Sequence, residues 1–215
     1  MTIYRVPNTQ DLYLINSCRL DEATEKQLLE LGNIKGTIVI SKAHGIDEPY
    51  YKSKFGGELF SVPTKSFKPA ASGAPPPEFK SVYEMKVPGI EVIELVGIDK
   101  AKHEEVALYI PASKVLITCD IIQHYGERKQ DAPALPLNFI TGPMMSFMGF
   151  RGEAVTVPMF VKISTTANSI KDLKPAFEAI NKLDYDIIVP GHGGPCYNAK
   201  ETRAKFEKSV EAQLQ

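Results

Sequence analysis

The chain has 215 residues, which suits one large domain or two small ones and is long enough for a core that needs no staple. Hydrophobic residues make up 43% and charged residues 24%, the ordinary balance of a globular protein. Formal net charge is -1, so the total carries no electrostatic footprint for nucleic acid or an acidic membrane surface.

Met1 to Gln10 show no charged-then-apolar signal pattern. No stretch approaches the roughly 18 to 20 apolar residues that span a bilayer. The three cysteines, Cys18, Cys119 and Cys196, are odd in number and far apart, a poor disulfide framework and a normal count for a reducing compartment. The expected location is the cytoplasm.

In chain order, Leu12 to Ser17 predicts a short strand. Asp21 is placed to cap a helix that runs through Leu28, Leu29 and Leu31 and ends at Gly32-Asn33 in a left-handed turn. Gly36 to Ser41 is a continuous β-branched run, the pattern of a central strand covered on both faces. Asp47 to Tyr51 opens a short helix ending near Gly56-Gly57, and Glu58 to Pro63 predicts another strand. Lys68 to Lys80 is rich in Pro, Ala, Ser and Gly and reads as a loop or lid.

Strands are predicted at Ile90 to Val96, Glu105 to Ile110 and Lys114 to Asp120, the last two joined by Pro111-Ala112-Ser113. About residues 131–160 form an apolar, loop-rich insertion. Its Leu137 to Phe150 segment can cover the core, line a pocket for an apolar ligand or make a homodimer contact. Ser169 to Leu183 carries apolar residues at helical spacing, and Asp186 to Val189 predicts a strand running into Pro190-Gly191-His192-Gly193-Gly194. A final helix starts at Ala199. Adjacent and helix-separated strands together imply mixed sheets with outer helices.

Three candidate metal ligands each follow a predicted strand: His44, Asp120 and His192. Side chains just beyond strand ends converge where clefts form, and imidazole and carboxylate suit zinc, iron or manganese. The plainer readings are a hydrogen-bonded structural histidine and an aspartate that caps or turns the chain.

Lys114-Val115-Leu116-Ile117-Thr118-Cys119-Asp120 resembles the strand and aspartate of the metallo-β-lactamase superfamily, whose usual form ends in Thr-Gly-Asp. Asp186-Ile187-Ile188-Val189-Pro190-Gly191-His192-Gly193 is similar to that superfamily's last ligand loop, commonly Pro-Gly-His-Gly. The resemblance runs from about Asp11 to the C-terminus. It implies a single domain over residues 1–215, a four-layer αββα sandwich of two mixed sheets with outer helices, and hydrolase chemistry on a small molecule.

The chain also departs from the superfamily's pattern. Where the superfamily has His-x-His-x-Asp-His, this chain has Ser41-Lys42-Ala43-His44-Gly45-Ile46-Asp47, so one histidine remains and Ala43 stands at the water-positioning aspartate. Asp47 follows on the next helix turn, and His103 lies about two residues too close to its strand to match the usual Gly-His-Thr. His124 stands four residues after Asp120, where it shares a face with Asp120 if that segment is helical. Cys119 replaces a glycine beside Asp120, as a ligating thiolate or a small gap filler, and Cys196 invites the same two readings.

The resemblance carries over His44, Asp120 and His192, a set able to hold one zinc, iron or manganese ion. Two functions stay open on these residues: a metal-dependent hydrolase with a partial, one-metal site, and a non-catalytic, metal-free binding or assembly module on the same fold. A redox role needs a fuller ligand set than the chain supplies.

Overall fold

The computed structural model describes residues 1–67, 75–95, 105–124, 173–197, 199 and 207. They fall in two compact units, Met1–Ile90 and Glu91–Gln215. Each unit is built on a mixed sheet.

In the first unit the sheet order is β1 (Thr2–Arg5), β2 (Asp11–Ile15), β3 (Asn33–Val39), β4 (Glu58–Ser61) and β5 (Lys80–Ser81). β1 is antiparallel to β2, and the other pairs are parallel. Parallel neighbours need crossover connections. These are α1 (Glu22–Leu31) between β2 and β3, and α2 (Glu48–Phe55) between β3 and β4. The β-branched run is the middle strand of the sheet, and Ile38, Val39 and Ile40 are fully buried.

Local chemistry sets the ends of α1. The Asp21 carboxylate accepts the Thr24 N–H at 2.8 Å, as the capping pattern predicts. The expected left-handed turn at the other end is not formed. Gly32 has φ 154° and ψ -161° and leads straight into β3. A Cβ there would stand 2.2 Å from the Gln10 carbonyl oxygen, so glycine is required by the close approach of the backbone just before β2.

α2 lies over a cluster of Leu12, Leu14, Leu28, Ile34 and Tyr51. The Tyr51 hydroxyl donates to the Cys18 carbonyl at 2.9 Å. Glu48 is fully buried, and its Oε1 accepts the Ser17 N–H at 2.7 Å. Burial pushes the Glu48 carboxyl above its ordinary 4.5, against the pull of backbone N–H groups and of the Lys65 charge.

In the second unit the order is β6 (Glu91–Glu94), β7 (Val106–Ile110), β8 (Val115–Ile117) and β9 (Ile187–Val189). The first two pairings are antiparallel and β8–β9 is parallel. The predicted turn at Pro111–Ser113 is one turn of 3-10 helix, closed by Lys114 in the left-handed region. α3 (Lys174–Asn181) sets Phe177 and Ile180 into a core with Leu116, Tyr185 and Ile188.

The short strands β1 and β5 are additional to the sequence expectation. Residues 68–74 of the Pro-rich loop, the 131–160 insertion and the start of the helix predicted from Ser169 lie outside the described residues. Of the last predicted helix, Ala199 and Glu207 are helical and the rest lies outside them too. No helix among the described residues is long and apolar enough to cross a membrane.

Gly32→Ala is expected to destabilise the fold by on the order of 2 kcal/mol, read as a lower denaturation midpoint. Glu48 gives a signed pH dependence. Its carboxyl holds its proton to higher pH folded than unfolded, so stability falls as pH rises above about 4.5, until the folded carboxyl has ionised too. Denaturation at about pH 5 and pH 7 is expected to show a smaller difference in Glu48→Gln than in the wild type. An unchanged difference would remove Glu48 from the account.

Candidate metal centre

β8 and β9 are parallel and in register, with Ile117 opposite Val189. The Thr118 N–H extends the pairing by one bond, 3.0 Å to the Val189 carbonyl. Residues at equal distances beyond two such ends emerge side by side, at the carboxyl edge where α/β sheets place ligands. Asp120 and His192 hold those equal positions. His192 Nε2 lies 2.9 Å from Asp120 Oδ1, with the Asp120 side chain 2% exposed and that of His192 30% exposed.

Main-chain bonds fix the two loops against each other. The His124 N–H donates to the His192 carbonyl (3.2 Å), and the Gly194 N–H donates to the His124 carbonyl (3.0 Å). His124 Nδ1 lies 2.9 Å from the Gly194 carbonyl oxygen, an acceptor, so that nitrogen carries the proton. His124 therefore staples the His192 loop. The segment between Asp120 and His124 is not helical, so the two do not share a helix face. Within the first loop, Thr118 Oγ1 donates to the Ile122 carbonyl (2.9 Å) and Gln123 Nε2 to the Asp120 carbonyl (2.8 Å).

Cys119 is fully buried against the second loop. A Cβ on Gly191 would stand 3.0 Å from the Cys119 Sγ and 3.1 Å from its Cα. The glycine before His192 is thus tied to the residue before Asp120, and the thiol fills the gap between them. Cys196 is buried too and exchanges backbone bonds with Ile188 (3.0 and 2.8 Å).

Beneath the Asp120 loop stands Glu105, which the sequence reading passed over. Its Oε1 accepts the N–H groups of Cys119 (3.1 Å) and Ile121 (3.2 Å), and its Oε2 accepts that of Asp120 (3.0 Å). Burial first, and then the Asp120 charge, push its carboxyl up to about 8 against those three bonds. The one signal in the sequence is an acidic residue directly before the wholly buried Val106-Ala107-Leu108.

His44 belongs to the first unit. Its N–H donates to the Ser41 carbonyl at 3.2 Å, and Ala43 N donates to Ser41 Oγ at 3.3 Å. Lys65 Nζ donates to the carbonyls of Lys42 (3.2 Å) and His44. Burial holds the Lys65 ammonium below its ordinary pKa, and Glu48 opposes that. Asp47 Oδ2 accepts the Arg19 N–H at 2.8 Å, so this carboxylate is engaged by the turn before α1. His103 lies outside the described residues.

The Asp120–His192 pair fits a metal ion. Ligand atoms about 2.1 Å from one ion stand about 3.0 Å apart at right angles and about 3.4 Å apart in a tetrahedron. The observed 2.9 Å is close to the first figure. One carboxylate oxygen and one imidazole nitrogen suit zinc, iron or manganese.

Gly191→Ala is expected to lower stability by about 1 to 3 kcal/mol. Cys119→Gly in the same chain is expected to restore only the part owed to the thiol, because the backbone of residue 119 still crowds the added methyl. Denaturant midpoints of the single and double variants measure both.

No family model and no curated protein sequence matches the chain. Solved structures do. TTHA1623 in a di-iron-bound form has a TM-score of 0.57 at 15% identity, covering 94% of this chain and 91% of its own. The metallo-beta-lactamase from Pontibacter korlensis has 0.53 at 13%, covering 98% and 86%. The DIM-1 metallo-beta-lactamase has 0.52 at 12%, covering 95% and 84%. Identities this low speak to architecture, and on that ground this chain has the metallo-β-lactamase fold.

Proposed function

We propose that this protein is a metal-dependent hydrolase with a one-metal site, in which Asp120 and His192 are ligands and His44 is the third. The observation that carries the reading is the 2.9 Å approach of the Asp120 carboxylate and the His192 imidazole at the ends of two parallel strands. His44 enters on the sequence resemblance alone. The names of the structural neighbours add that proteins of this fold are metallo-enzymes or hold iron.

The chain's own residues bind and orient. Asp120, almost wholly buried, offers a negative charge with little competition from solvent, and His192 reaches the same point from the more open side. The Asp120 carboxylate places negative charge at the site, which favours a cation there. Asp120 and His192 would hold a divalent ion, and the chemistry it would supply there is Lewis acidity toward a carbonyl or phosphoryl oxygen of a small-molecule ester. Ala43 brings no carboxylate to orient an attacking water.

A metal-free binding module is the second reading, favoured by one observation. The loop bearing His44 is already held by a cation, the Lys65 ammonium on the carbonyls of Lys42 and His44.

The deciding measurement is metal content per chain on protein purified without chelator, beside His192→Ala, Asp120→Ala and His44→Ala. About one transition-metal ion per chain, lost in the first two variants, is expected and would justify a screen of esters and phosphoesters. Retention in His44→Ala would remove His44 from the ligand set. Absence of metal from the wild type, even after zinc, iron and manganese are offered, would leave the binding module.

A further inference from the structure

Three consecutive N–H groups, those of Cys119, Asp120 and Ile121, turn toward one point and meet the two oxygens of Glu105. Successive N–H groups converge only where the backbone leaves the extended conformation, and the concavity they make is an anion-binding nest. Here the nest is filled from within the chain, by the Glu105 carboxyl. Glu105 is 2% exposed, and these N–H groups are buried with it. An apolar side chain at 105 would be cheaper to bury but would orphan three donors, each costing about 1 to 3 kcal/mol.

We propose that Glu105 is a positioning residue, an internal carboxyl whose clamp on the 119–121 nest aims the Asp120 carboxylate at His192. The clamp holds the peptide groups on both sides of Asp120, through the Asp120 and Ile121 N–H groups, and Gln123 Nε2, on the Asp120 carbonyl at 2.8 Å, holds the second of them from its other end. With both peptide planes held, the Cα–Cβ bond of Asp120 leaves the backbone in one direction, from which Oδ1 reaches to 2.9 Å from His192 Nε2. Its consequence for metal affinity rests on the one-metal reading above. Its consequence for the Asp120–His192 contact does not.

The nest makes the proposal testable by replacing the carboxyl. In Glu105→Ala the three donors face a space the size of a small carboxylate, so formate is expected to re-occupy it. In Glu105→Gln the space stays filled, and an amide NH2 displaces one of the two acceptor oxygens. Both full-length variants are compared with the wild type by long-range 1H–15N spectra of histidine-labelled, metal-free protein, with far-UV circular dichroism as the folding control.

The wild-type His192 ring is expected to show one tautomer with its Nε2 proton bonded. Glu105→Ala and Glu105→Gln are expected to lose that signature, and formate to restore it in Glu105→Ala alone. If Glu105→Ala does not fold without formate, recovery of fold and signature together on adding formate supports the proposal equally, and the isosteric Glu105→Gln tests it without added anion. A His192 signature unchanged in a folded Glu105→Gln, or lost in Glu105→Ala and indifferent to formate, overturns the proposal.

Cobalt titration is the second arm. A Kd raised about 10- to 100-fold in Glu105→Gln is expected for loss of an outer-shell partner. An unchanged Kd overturns the positioning role toward metal. A wild type that binds no cobalt sinks the one-metal reading and leaves the histidine spectra to judge Glu105.

Discussion

Parallel pairing between β8 and β9 sets the register on which the Asp120 edge depends. Parallel strands end on the same side, so their C-terminal loops leave the sheet together, and equal offsets become spatial neighbours. Ile117 opposite Val189 makes Asp120 and His192 such a pair. A slip of one residue would send each side chain to the opposite face of its strand and separate the two. The apolar residues Leu116 and Ile188, packed with Phe177 and Ile180 from α3, hold that register by burial.

Much of this was legible in the sequence because it is encoded locally. The β-branched run at Ile38-Val39-Ile40 states a covered strand, Asp21 states a helix start, and Pro190-Gly191-His192 states a turn after a strand. Asp120 and His192 could be singled out because each follows a short apolar run. Their 2.9 Å approach could not, since it depends on which strands pair.

What stayed hidden is what acts at a distance in sequence. Glu105 meets backbone groups 14 to 16 residues away, and backbone N–H groups have no letter in a sequence. Lys65 serves carbonyls 21 and 23 residues earlier, and an isolated lysine reads as solvated surface. The reading of Gly32 failed for a related reason. Its helix-end position suggested a left-handed cap, whereas the actual demand comes from the Gln10 carbonyl, just before a neighbouring strand. β1 and β5 are too short for alternation to announce them.

The staple at His124 has a further consequence. Two of its three bonds to the His192 loop run from main chain to main chain, His124 N–H to the His192 carbonyl and Gly194 N–H to the His124 carbonyl. Such bonds are indifferent to the side chains that ride on the loops. The sheet edge is therefore a socket whose shape outlasts its contents: ligands, substrate contacts or plain packing residues can be exchanged there without the socket being rebuilt. That separation of frame from fitting leaves the residues at the edge free to change while the fold stays the same.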